Sequence, residues 1–174
     1  MSVFAASDLV CRFPSVETRG PLETARLGGA LSNAVSGGLL ILLYGPLGAG
    51  KTLLSVSIGE ALGAGRMKSP SFAVESIHKL PGKNFFLVHA DLYRLEDALS
   101  GSPETMQLEE YLDDGALVLV EWAERWKNPP RRKGWDVRIS VAGDAKRSID
   151  FAVHGEETVA AFAAAFSEVL EPCR

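Results

Sequence analysis

The hydrophobic positions of this chain change period several times, and each change predicts an element. Over residues 22–35, Leu22, Leu27, Leu31 and Val35 can share one helical face, and Gly37 and Gly38 end the segment. Residues 39–44 form an unbroken apolar run, the pattern of a strand buried on both faces. A glycine-rich loop follows at 45–50, and then a helical pattern to residue 62, closed by Gly63 and Gly65. Residues 73–80 and 85–90 read as strands joined by the turn "PGKN". "ALVLVE", residues 116–121, is another buried strand, ending on a carboxylate. Downstream, "WDVRISV" (135–141) and "RSIDFAV" (147–153) alternate strictly. Trp135, Val137, Ile139 and Val141 share one face, as do Ile149, Phe151 and Val153. The short connection "AGDAK" makes these strands an antiparallel hairpin with one wet face. Residues 156–170 form an amphipathic helix that can seat Val159, Phe162, Phe166 and Leu170 on the sheet. The expected fold is α/β: a mixed sheet with helices on both faces, ending in an antiparallel hairpin and a helix.

Composition narrows the class without changing this picture. The 174 residues are 47% hydrophobic and 23% charged, an ordinary globular profile, and no repeat or linker divides them, so one domain over 1–174 is expected. The net charge of −4 and pI near 5.4 argue against a chain that grips nucleic acid through a general basic field. The run "RRK" (131–133) reads as a solvated loop. Cys11 and Cys173 lack metal-ligand spacing and read as free thiols, and His78, His89 and His154 read as satisfied or exposed imidazoles. Neither a signal peptide nor an apolar run long enough to span a bilayer is read, so the expectation is a cytoplasmic protein.

The chemistry sits between the first buried strand and the helix after it. "GPLGAGKT" matches G-x-x-x-x-G-K-[ST] with Gly45, Pro46, Leu47, Gly48, Ala49, Gly50, Lys51 and Thr52. Glycines let the backbone wrap closely and aim N–H groups at phosphate oxygens, and the following helix adds its positive dipole end. Lys51 is expected to reach the β- and γ-phosphates and the Thr52 hydroxyl to bind Mg²⁺. The fold expectation thereby becomes a P-loop NTPase-like sheet. Such a site needs a carboxylate at the end of a neighbouring strand. Glu121 ends "ALVLVE" and Asp91 follows "FFLVHA", while Trp122 reads equally as a core residue or as a platform beside the nucleotide.

"GPLGAGKT", "SPSF" (69–72), "HADLYRL" (89–95) and "LEEYLDDGALVLVEWAERW" (108–126) resemble, in that order, the TsaE (YjeE) family, small bacterial ATPases required for threonylcarbamoyladenosine synthesis on tRNA. The resemblance runs over residues 22–155. It implies ATP and Mg²⁺ as ligands, with Thr52 and Glu121 on the metal and Asp91 as an essential aspartate that positions the attacking water. It places Trp122, Thr24 and Arg147 near the nucleotide and makes 69–72 a switch-like segment. The chain departs from the family pattern at Pro46 (usually aspartate), Leu53 (a second threonine) and Ser71 (threonine), and "EWAE" stands for EWPE. None of these removes a ligand from the cradle.

The function so implied is an ATP hydrolase, slow alone and stimulated by a partner, that is not itself the transferase. Its implied partner is a TsaB–TsaD heterodimer, with tRNA contacted indirectly or only in that complex. The alternative reading is a small-molecule kinase, which would need an Arg-bearing lid; "ERWKNPPRRKGW" (124–135) is the candidate segment. A nucleotide-gated binding module is a third reading, disfavoured by intact Lys51, Thr52 and Glu121.

Overall fold

Two of the apolar runs, Leu40–Tyr44 and Leu117–Glu121, lie side by side in the middle of one sheet and are buried on both faces. The structure is a computed structural model that describes residues 9–68, 74–95, 98–99, 102–130 and 133–170. In chain order its elements are β1 (Val10–Thr18), α1 (Pro21–Leu31), β2 (Leu40–Tyr44), α2 (Lys51–Ala61), β3 (Glu75–Lys79), β4 (Phe86–Asp91), β5 (Ala98–Leu99), α3 (Pro103–Asp113), β6 (Leu117–Glu121), β7 (Trp126–Lys127), β8 (Gly134–Val141), β9 (Arg147–His154) and α4 (Glu156–Leu170). Seven strands pair in the order β1-β9-β8-β2-β6-β4-β3. β2 runs parallel to both β6 and β8, and β6 parallel to β4. The flanks β3–β4 and β8–β9–β1 are antiparallel. The mixed sheet expected from the sequence is the one observed.

The pleat divides the apolar side chains between two cores. Leu39, Ile41, Leu43, Leu117 and Leu119 face α1, α2 and α4, whereas Leu40, Leu42, Val118 and Val120 face Leu108 and Leu112 of α3. α1 and α2 touch backbone to backbone at Gly28, where an added Cβ would lie 2.7 Å from Ser57 Cβ and 3.1 Å from the Leu54 carbonyl. α4 docks through aromatics. Phe162 sits 4.7 Å from Phe13, 4.9 Å from Trp135 and 5.2 Å from Phe151, measured between ring centroids. These tilted and edge-on contacts add to the area they bury.

Four elements stand outside the sequence expectation. β1 contains Pro14, which has no N–H to give a ladder; the strand lies at the sheet edge, and its register shifts between Phe13 and Val16 to pass the proline. α3 starts on Ser102, whose hydroxyl accepts from Thr105 N at 3.4 Å, with a proline in its first turn. Its fully buried apolar residues are Leu108 and Leu112, with Tyr111 packed beside them, too sparse a pattern to announce a helix by period. β5 and β7 form a two-residue parallel pair. Val141, expected to face inward, is half exposed at the end of its strand. Cys11 is a free thiol, while Cys173, the segment 69–72 and Arg131 with Arg132 lie outside the described residues.

Removing the aromatic centre of the larger core isolates what holds α4 and β1 to the sheet. Phe162→Ala is expected to lower unfolding free energy by about 3–5 kcal/mol, read by urea denaturation. A change under about 1 kcal/mol would mean that this cluster does not carry the packing.

Candidate nucleotide site

The loop between β2 and α2 takes its shape from backbone conformations that side chains resist. Gly45, Gly48 and Gly50 have φ of 141°, 74° and 108°. At Gly45 a Cβ would also stand 2.3 Å from the Ile139 carbonyl, so the position is closed to any other residue. Ala49 N donates to Pro46 O at 3.1 Å and closes the turn. Leu47 at the tip is 76% exposed. α2 begins on Gly50, which offers no side-chain cap, so the N–H groups of its first turn have neither intrahelical nor capping partners and the positive end of the helix faces the loop.

Lys51 is 4% exposed and folds back over this loop. Its Nζ donates to the Gly45 carbonyl at 2.5 Å and the Pro46 carbonyl at 3.0 Å, and lies 3.7 Å from the centroid of the Trp122 ring. Burial holds the ammonium below the ordinary lysine range, against the opposing pull of the Glu124, Glu121 and Asp91 carboxylates. An anion at the loop would favour its charged form. Trp122 has an unusual backbone, φ 57° and ψ 43°, and its ring packs on Tyr93 at 4.7 Å. A bulky residue in the left-handed region immediately after a buried carboxylate is a strained backbone position that the surrounding packing must hold.

Thr52 and Glu121 meet across the top of the sheet. The Thr52 hydroxyl donates to Glu121 Oε2 at 2.6 Å. The other oxygen, Oε1, is 2.7 Å from His89 Nε2, and both His89 and Glu121 are buried. Parallel pairing sets Asp91 opposite Glu121, and the half-buried Asp91 accepts Tyr93 N on Oδ1 at 3.0 Å, a local turn that fixes the carboxylate at the strand end. His89 is the residue of this group that motif reading missed. It stands two positions before Asp91 on a buried strand, which by period two puts it on the same face.

Thr24 and Arg147 lie on the opposite flank of the loop. With Pro21, Leu53, Asp144 and residues 48–50 they line a cleft of about 240 Å³. The Thr24 hydroxyl pairs with that of Thr18 at 2.8 Å. The Arg147 guanidinium donates from Nε to Ala49 O and from Nη2 to Gly48 O, both at 3.0 Å. Arg147 therefore clamps the loop from outside. The residues expected from the sequence thus gather in two groups, Lys51, Thr52, Asp91, Glu121 and Trp122 on one side and Thr24 with Arg147 on the other.

A hydroxyl and one carboxylate oxygen are hard donors, but too few to hold a cation alone. Among the described residues no cluster of three or more His, Cys, Asp or Glu could serve as a self-sufficient metal site. That donor set fits Mg²⁺, which takes few protein ligands and completes its shell with water and substrate phosphates. No helix among the described residues is long and apolar enough to cross a membrane. Because Glu121 satisfies both Thr52 and His89, Glu121→Ala is expected to lower stability by about 1–3 kcal/mol in urea denaturation, with Glu121→Gln losing less because it keeps an acceptor. Equal stability of wild type and alanine variant would mean that these hydrogen bonds are not formed.

The family model described as TsaE, threonylcarbamoyl adenosine biosynthesis protein, matches residues 18–149. The tRNA threonylcarbamoyladenosine biosynthesis protein TsaE of Streptomyces coelicolor is 41% identical over 99 residues, 56% of this chain and 66% of that protein, just under two thirds of its length. The protein of the same description from Bacillus subtilis is 32% identical over 139 residues, covering 79% of this chain and 84% of that one. The crystal structure of Bacillus subtilis YdiB matches the fold with a TM-score of 0.69 and 25% identity, over 93% of this chain and 99% of that chain. By the extent of the family match, this chain belongs to the TsaE family.

Proposed function

We propose that this chain is a P-loop ATPase of tRNA threonylcarbamoyladenosine synthesis, which binds ATP with Mg²⁺ and acts with a TsaB–TsaD complex to sustain threonylcarbamoyl transfer. The observation that carries the nucleotide reading is the convergence of Lys51, Thr52 and Glu121 on one glycine loop, with an uncapped helix N-terminus aimed into it. The role in tRNA modification is supported by the family match and the names of the relatives.

The residues divide the work by position. The first-turn N–H groups of α2 and the loop amides donate to phosphate oxygens, and Lys51 exchanges its carbonyl partners for the β- and γ-phosphates. Thr52 and Glu121 would hold Mg²⁺, which would supply positive charge to offset that developing on the phosphate oxygens. Asp91, held by its turn on the strand next to Glu121, orients a water for in-line attack on the γ-phosphorus. Thr24, Pro21 and Leu53 wall the cleft that receives the base, and Arg147 keeps the loop from opening toward it. The acidic balance of the chain suits docking on proteins that themselves hold the tRNA.

The test is phosphate release from ATP with Mg²⁺, by this chain alone and then with purified TsaB–TsaD and tRNA. Slow release alone that rises on adding the complex is the expected result. Release indifferent to the complex would contradict the tRNA reading, and phosphoryl transfer to a small-molecule acceptor would replace it with a kinase. Asp91→Asn is expected to keep nucleotide affinity within a few-fold and to lose at least about 100-fold in phosphate release, the usual scale for a lost general base or water-orienting group.

A further inference from the structure

His89 is fully buried on β4 among leucines, yet its ring is turned onto a carboxylate: Nε2 lies 2.7 Å from Glu121 Oε1. The second Glu121 oxygen, Oε2, accepts the Thr52 hydroxyl at 2.6 Å. We propose that His89 is a positioning residue, which by donating to Oε1 fixes the Glu121 carboxylate so that Oε2 alone faces Thr52 and the cation position. The inference rests on the reading of this loop as a Mg²⁺–nucleotide site.

The sheet dictates the contact. β4 and β6 are parallel neighbours with His89 opposite Leu119 and Asp91 opposite Glu121. Leu87, His89 and Asp91 therefore share a face with Leu117, Leu119 and Glu121, and His89 reaches diagonally up to the carboxylate. The last torsion of a glutamate is broad, so the side chain has little preference of its own for where each oxygen points. Its hydrogen bonds must decide. An ionised carboxylate only accepts, so Nε2 donates this bond, and Nδ1 is buried with no partner among the described residues. A buried imidazole with one nitrogen unpartnered costs stability that the surrounding Leu87 and Leu119 do not return, and a leucine here would suit the core better. The one bond that rewards the imidazole is the bond to Glu121. Groups that orient a metal's carboxylate or imidazole from behind typically change metal affinity by 10–100-fold when removed.

The test is calorimetric titration of the full chain with a non-hydrolysable ATP analogue, in EDTA and over a range of Mg²⁺ concentrations. For wild type, Mg²⁺ tightens binding. For His89→Leu, about 10–100-fold more Mg²⁺ should be needed for the same tightening, with affinity in EDTA unchanged. His89→Gln, whose amide nitrogen can take the place of Nε2, should return the Mg²⁺ requirement to within a few-fold of wild type. If His89→Leu does not fold, His89→Asn replaces it; its amide is too short to reach Glu121, and the same loss is expected. A wild-type Mg²⁺ requirement in the leucine or asparagine variant would overturn the inference, as would a glutamine variant no better than leucine. Wild-type protein that binds the analogue identically with and without Mg²⁺ would overturn the reading of the site itself, a result distinct from failure of the histidine's role alone.

Discussion

The parallel pairing of β2 with β6 sets Leu43 opposite Glu121, and the site follows from that register. The chain leaves β2 at Tyr44, turns through the glycine loop and returns over the sheet as α2, so Thr52 in the first helical turn descends onto the residue that ends the next strand. Shifting β6 by one residue would send Glu121 to the α3 side of the sheet and leave Val120 beneath Thr52. The register is protected by burial on both faces, since every residue of β6 is inaccessible and a slip would move leucines and valines between two cores of different shape. Stability and the Thr52–Glu121 contact are therefore one constraint here.

Around that contact the loop is already held in a closed shape by the protein's own groups. Lys51 binds two loop carbonyls from inside, Arg147 binds two others from outside, and Gly45 is pressed against Ile139. Preorganisation of this kind spares a ligand the cost of ordering the loop. It also explains why a lysine tolerates near-complete burial: carbonyls and an indole face partly replace its water, and three carboxylates supply charge of the opposite sign.

Much of this was legible in the residues. The continuous runs before Gly45 and before Trp122 announced buried strands, the alternation around Trp135 and Ile149 announced the hairpin, and the spacing of Gly45, Gly50, Lys51 and Thr52 announced the loop. What stayed hidden depends on partners distant in sequence. β1 is held as a strand by β9 in spite of Pro14, and α3 docks through Leu108, Leu112 and Tyr111 because the sheet supplies the rest of its core. His89 looked like any histidine until the register placed Glu121 beside it. Arg147 and Thr24 carry no local pattern and were reached only through the family resemblance; the fold brings both to one cleft beside the loop.

The central claim is that the loop binds a nucleotide through Lys51 and binds it with a cation. The most direct measurement is calorimetric titration of wild type and Lys51→Ala with ATP analogue and Mg²⁺, each first shown to be folded by its thermal transition. Measurable affinity is expected for wild type and a loss of about 3 kcal/mol or more for the alanine variant, the scale of a charge-assisted contact removed from a buried site. Equal affinity in two folded proteins would contradict it and leave the glycine loop a structural turn.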